Sequence, residues 1–300
     1  MNINERQNSD LNLKRLAAQR QLYSEAKKLV IIQFILSGLF VLVLAIVGSI
    51  IGEKYLPYIV VAAIVIIFLD ELILSERIYG IRVDAARIQE EFDCDVLQLP
   101  QNNIKITNGS MLEMIQDKAR KYISKHHNYN DLLCWYPGID ETDNKYYRLI
   151  CQATNCWWNQ ALRKKYSEFI LIVISIIFVA LIVISLIKGF TVATFLMAVV
   201  SPILPAVVLF YKTNRDNRKA VNNLNHMKGK IDEIILNAKS GNFYSEEELI
   251  SDSRCLQDMI FDNRSISPLI PDSLYFKHRN QYEMDAQETN KELIRTIRQL

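Results

Sequence analysis

Asp70 and Glu71 stand side by side inside the apolar stretch IVVAAIVIIFLDELILSER, residues 59–77. A carboxylate at the centre of a bilayer costs about 2.5–3.5 kcal/mol on insertion scales, so such a pair sits at an interface, lines a wet path or meets a partner. Asp70 and Glu71 are therefore candidate pore or gate residues. Pro202 and Pro205 join them from another apolar stretch, because proline removes backbone hydrogen bonds and bends a helix, in static bundles and at gates alike.

Other chemistry is thinly represented. No glycine-rich phosphate loop, nucleophile elbow or H-E-x-x-H pattern is present, and the nine glycines are scattered. His126 and His127 are adjacent, so on a helix they diverge and do not share a metal as an i, i+4 pair does. Asp93, Cys94 and Asp95 supply potential ligand atoms, but a turn after a helix explains them better. Trp157 and Trp158 read as core packing or a subunit contact rather than a ligand platform. The expectation is a protein that is not an enzyme, with no catalytic residue, no metal and no cofactor.

The elements that position these residues follow from how the apolar half of the 300 residues is distributed. Apolar runs cover 29–51, 56–74, 169–187 and 190–211, each near the roughly 20 residues that a spanning helix needs. The leader before the first run is too long for a cleaved signal peptide. Lys and Arg cluster at Lys27 and Lys28, Arg77 and Arg82, Arg163 to Lys165, and Lys212 to Lys219, whereas the two turns hold one Lys each. The positive-inside rule then puts both termini and the middle segment in the cytoplasm. The expected architecture is an all-α, multi-pass inner-membrane protein with four transmembrane helices in two hairpins. Residues 1–28 form a cytosolic amphipathic helix, 29–74 the first hairpin, 75–168 a cytosolic helical segment, 169–211 the second hairpin and 212–300 a cytosolic C-terminal segment. Five scattered cysteines without a C-x-x-C pair fit a reducing compartment.

Beyond the second run, Leu74, Ile78, Ile81, Ala85, Ile88 and Phe92 alternate at spacings of four and three, a heptad seam for another helix or subunit. Projected backwards, the seam passes through Glu71, while Asp70 falls on a flanking position near Arg77. A short strand is expected at 96–99, then a helix opened by Ser110 and Glu113 at capping-box spacing. An amphipathic helix from Tyr147 runs into the third apolar run; another follows the fourth and ends at Gly241. Ser245 and Glu248 open a helix to about Phe261, a proline-punctuated connector follows, and a last helix covers much of 282–299.

The segments RLAAQRQLYSEAKKL, IQEEFDCDVLQLP, ICQATNCWWNQALRKKYSEF and LQDMIFDNRSISPLIPDSLYFKHRNQYEMDAQ, in this order around two apolar hairpins, resemble the SMODS-associated four-transmembrane effector family of bacteria. The resemblance implies a pore-forming membrane effector of a CBASS-type anti-phage system, driven by a cyclic oligonucleotide from a neighbouring synthetase and causing abortive infection. It implies as partners the lipid bilayer, that second messenger and copies of the same chain, and no DNA or RNA polymer. Such a messenger needs cations for its phosphates and aromatic faces for its bases. The densest grouping of both is Arg254, Arg264, Tyr275, Lys277, His278 and Arg279, which is the candidate nucleotide-binding set. Two alternatives stay open: a membrane scaffold that recruits a separate toxic partner, and a small channel or transporter unrelated to defence. Spans almost free of charge apart from Asp70 and Glu71 speak against ion-coupled transport.

Overall fold

Helices begin where side chains can satisfy their free N-terminal N–H groups. Asn2 and Glu5 cap α1 (Ile3–Gln7) reciprocally, and Ser9 Oγ accepts the Asn12 N–H at the start of α2 (Asp10–Phe34). The computed structural model describes residues 2–40, 43, 44, 47, 53–105, 111–139, 145–196, 200–241 and 244–298. After α2 a π-helical turn runs over Ile35–Phe40. The chain is next described at a 3-10 turn, Glu53–Tyr55, then α3 (Leu56–Leu69), a second π-helical turn (Asp70–Ser75) and α4 (Glu76–Leu97). These last three form one rod.

The later helices are α5 (Met111–His126), α6 (Tyr147–Lys188), α7 (Val192–Phe195), α8 (Ser201–Lys239), α9 (Glu246–Ile266) and α10 (Asp272–Arg298). Among the described residues there is no strand. The strand expected at 96–99 is corrected: α4 continues through Leu97 and stops on Gln98 in the left-handed conformation. Val96 and Leu97 are buried helical residues, so packing overrides their β preference. Asp93, Cys94 and Asp95 are likewise helical rather than a turn.

The capping box at Ser245 and Glu248 is formed as expected, with both reciprocal hydrogen bonds in place. The one expected at Ser110 lies outside the described residues. The C-terminal connector is shorter than the prolines suggested: α9 reaches Ile266, and α10 already starts at Asp272. Pro268 and Pro271 fall between the two helices, where their missing N–H groups break nothing.

Among the described residues two rods are long and apolar enough to cross a membrane, Pro57–Leu97 and Tyr147–Ile187. Each is 41 residues, about 60 Å at 1.5 Å per residue and twice the thickness of a hydrocarbon core. Only part of each rod is bare: Tyr58, Leu186 and Ile187 are 73%, 75% and 78% exposed, whereas Ile88, Phe92, Leu149 and Ile150 are wholly buried. An apolar band of that size, left uncovered, requires an apolar surrounding. The runs 29–51 and 190–211 pass through residues outside the described set.

The buried portion lies at the other end of the rods. There α2 packs along α4 and α5, α6 along α8, α9 against α4, α6 and α8, and α10 on α6. The heptad seam is filled within the chain: Ala85 and Ile88 meet Ala18 and Leu22 of α2 and Ile115 of α5, with Ile81 beside them. A partner subunit is therefore not needed to cover it.

Candidate functional site: the roots of the apolar helices

The π turn at Asp70–Ser75 decides where the two acids face. A π turn takes one more residue than an α turn, so the backward projection of the seam slips. Asp70 accepts from Gln33 Nε2 at 2.7 Å, and Gln33 also reaches Ser75 Oγ at 3.1 Å, which ties α2 to the π turn. Glu71 instead turns to α8, where Lys212 Nζ approaches its Oε1 and Oε2 at 3.0 and 3.2 Å. Pro202 stands in the first turn of α8, where its missing N–H is tolerated, and the helix continues through Pro205.

Gln33, Asp70, Glu71, Ser75 and Lys212 border a cleft of about 440 Å³ between the apolar helices and the buried helical body. Val30, Phe34, Leu204 and Val208 form its apolar side, and Ile266 at the end of α9, with Pro268 and Leu269 of the α9–α10 connector, closes the other. Phe34 stacks on Phe210, ring centroids 5.2 Å apart, at its edge.

Two arginines hold the end of α9 and the connector by backbone carbonyls. Arg82 of α4 donates from Nε to Ser265 O at 2.7 Å and from Nη1 to Ser267 O at 3.1 Å. Arg163 of α6 donates from Nη1 to Pro268 O and to Asn217 Oδ1 of α8, both at 3.0 Å, and Asn217 Nδ2 returns a bond to Arg163 O at 2.8 Å. Neither guanidinium has a carboxylate within hydrogen-bond reach among the described residues. Burial pulls Arg82 down and takes Arg163 to about 10, so both remain cations at neutral pH. The connector that opens α10 is thus pinned to α4 and α6, and through Arg163 to α8, just below their apolar portions. Nothing in the sequence marked Arg163 and Asn217 as partners, since the pair is 54 positions apart and meets only through the crossing of two helices.

The six cation and aromatic candidates divide between two places. Arg254 and Arg264 belong to a buried polar network on α9. Arg264 Nη1 donates to Asp93 Oδ2 at 2.6 Å, Tyr136 Oη donates to Asp93 Oδ1 at 2.6 Å, and Gln257 Nε2 bridges Asp93 and Glu90 at 2.9 and 2.8 Å. Arg254 Nη2 donates to Glu90 at 2.5 Å and to Asp258 at 3.0 Å. Burial opposes both charges, yet the facing carboxylates outweigh it and raise both guanidinium pKa values. Glu90 is pushed up by burial first and by Asp93 second. Ala86, Glu90, Asp93 and Leu97 share one face of α4, so a polar break in an apolar stripe was the available signal for this network.

The other four lie on α10. Tyr275 packs 6.5 Å from Trp158 and carries Arg20 over its face at 5.3 Å; His278 stacks on Tyr282 at 5.5 Å; Lys277 is exposed. Arg279 is bonded to Glu283 at 2.7 Å and to the Asp131 carbonyl at 3.1 Å. Trp157 and Trp158 both sit edge-on to Tyr282, which makes them the packing surface for α10. Arg20, which completes the aromatic shelf, was missed because it is 255 positions from Tyr275 in sequence. His126 stacks on Tyr122 at 4.3 Å. Among the described residues no three His, Cys, Asp or Glu side chains are grouped to hold a metal ion.

The model of the family described as SMODS-associating 4TM effector domain matches residues 1–293. A Bacillus cereus (strain VD146) protein named as a probable CBASS effector molecule is 24% identical over 283 residues, which is 91% of each chain. No solved structure matches.

Proposed function

Because the chain belongs to the SMODS-associating 4TM effector family, we propose that it is an inner-membrane CBASS effector that permeabilises the membrane when a cyclic oligonucleotide from a neighbouring synthetase binds its cytosolic face. The name of the Bacillus cereus relative supports the defence context. In this reading 29–74 and 169–211 are two membrane hairpins, while 1–28, 75–168 and 212–300 assemble one cytosolic body with both termini inside. The protein acts by changing shape rather than by catalysis.

The observation that carries the proposal is the grip of Arg82 and Arg163 on the end of α9 and the α9–α10 connector, with Asn217 holding Arg163 to α8. A phosphodiester ligand suits Lys277 and Arg20 for its charges, and Tyr275 and His278 for its bases. Arg279, held by Glu283, the half-buried Arg254 and the buried Arg264 stiffen the helices that present this shelf. Moving α10 pulls on the connector, and the connector pulls on three helices where they enter the apolar region. The Glu71–Lys212 pair joins two of those helices and is the natural gate, with Asp70 beside it and Pro202 and Pro205 as bending points in α8. Because the heptad seam is already filled, copies of the chain assemble through the exposed apolar band in the bilayer.

The test is co-expression with an active synthetase, a catalytically dead one, or none. Depolarisation of the inner membrane only with the active enzyme is expected, and its loss in a Lys277→Glu, Tyr275→Ala variant that still inserts. Growth arrest with potential and dye exclusion intact would overturn pore formation.

A further inference from the structure

The cleft at the helix roots has a chemistry of its own. Two cations, Arg82 and Lys212, face it, as do three carboxylates, Asp70 bonded by Gln33, Glu71 by Lys212 and Asp216 by Arg215 Nε at 3.1 Å, and its outer wall is apolar. Leu204 and Val208 on that wall are 55% and 54% exposed and continue directly into the bare apolar band. Arg82 spends Nε and Nη1 on backbone carbonyls, and its Nη2 makes no hydrogen bond among the described residues. The cleft therefore offers a partly desolvated cation without a hydrogen-bonded anion, a second cation at its rim, carboxylates a side chain away and a greasy exit.

These features together select an amphiphile. A phosphate on Arg82 and Lys212 gains charge-assisted hydrogen bonds in a site partly shielded from water. A molecule that carried only that phosphate would face three carboxylates, whereas one carrying a nearby ammonium satisfies both signs. Such a zwitterion can also enter the Glu71–Lys212 pair, with its anion on Lys212 and its cation on Glu71, and leave neither unpaired. A primary ammonium fits better than a quaternary one because it can donate hydrogen bonds to carboxylates.

We propose that the cleft binds an ethanolamine phospholipid of the cytoplasmic leaflet, with its phosphodiester on Arg82 and Lys212, its ammonium toward Asp70, Glu71 and Asp216, and its acyl chains along Leu204 and Val208. The inference rests on the membrane placement proposed above but not on the messenger or on pore formation. The bound lipid bridges α4, α8 and the connector, and so is part of the resting assembly of the helix roots.

The test uses the purified full-length protein in a non-ionic detergent, without synthetase or messenger. Thermal unfolding is followed with added phosphatidylethanolamine, phosphatidylglycerol, phosphatidylcholine or free O-phosphoethanolamine. Saturable stabilisation of about 5 °C is expected from the ethanolamine lipid, with less than half of it from the other lipids. Val208→Trp, which fills the cleft without removing a charge, should abolish the effect, as should Arg82→Gln where it folds. Equal stabilisation by phosphatidylglycerol, or an undiminished effect in Val208→Trp, would overturn the proposal. Full stabilisation by free O-phosphoethanolamine would assign the cleft to a soluble phosphate compound and overturn the lipid. Membrane-potential measurements play no part, so failure here is distinct from failure of the proposed function.

Discussion

Lys212 Nζ lies 3.0 Å from Glu71 Oε1, joining the root of α8 to the π turn below α3. Both side chains are about half exposed or more, 47% and 63%, which puts the bond among ion pairs worth about 0.2–1 kcal/mol. That is too little to hold a fold and enough to bias a gate a few-fold. Glu71→Gln and Lys212→Gln should each raise basal membrane leak about two- to five-fold, and the swap Glu71→Lys with Lys212→Glu should return it toward wild type. Ion flux from protein-loaded vesicles measures this. A swap no better than the single variants would exclude the pair as a gate.

The buried pair of Arg264 and Asp93 behaves differently. Asp93 is fully buried, with Tyr136, Gln257 and Arg264 all donating to it. Removing one partner of such a pair leaves an uncompensated charge and costs about 3–5 kcal/mol. Arg264→Met should thus lower thermal stability steeply, and Arg264→Met with Asp93→Asn should recover part of the loss. With the Asp93→Asn single variant and wild type, the melting temperatures of the four proteins close a double-mutant cycle; additivity would mean the two side chains do not interact.

Thiol chemistry separates the cysteines by burial. Cys94, Cys151 and Cys156 are buried while Cys134 and Cys255 are exposed. Burial pushes the Cys94 and Cys156 thiols up to about 12 from 9.0, so the folded chain keeps protons there that the unfolded chain loses above pH 9. Stability contributed by these groups is complete below pH 9 and falls as pH rises toward 12. A maleimide at pH 7 should modify two sites in the native protein and five after denaturation, counted by mass. Native modification of Cys151 or Cys156 would contradict the packing of α6.

Orientation can be read at the turn after α6. Gly189 has φ +62, so a cysteine placed there would strain the backbone. Phe190→Cys avoids this, in a chain with Cys134 and Cys255 changed to Ser. It should react with an impermeant thiol reagent on intact spheroplasts, whereas native Cys134 and Cys255 should react only after permeabilisation. The reverse pattern would invert the topology.

Much of the helical order was legible because it rests on local signals. The Ser245–Glu248 cap, the amphipathic lead from Tyr147 into α6 and the seam through Ile81 and Ile88 are spacings of three and four that need no tertiary knowledge. The facing of Asp70 and Glu71 was not legible, since one π turn moves the phase and no residue announces it. Arg254 and Arg264 looked free for a ligand because their acids, Glu90 and Asp93, stand more than 160 positions away. Charge type is local, but charge pairing is a property of the folded arrangement.

The π turn at Asp70–Ser75 also sets a mechanical relation between the two halves of its rod. An α-helix winds about 100° per residue, so the one surplus residue offsets α4 from α3 by roughly that angle. The rod is in effect a screw whose thread jumps at the boundary of the apolar band. Twisting the cytosolic half toward an unbroken α thread would carry Asp70 away from Gln33 and Glu71 away from Lys212 in a single turn of the same shaft.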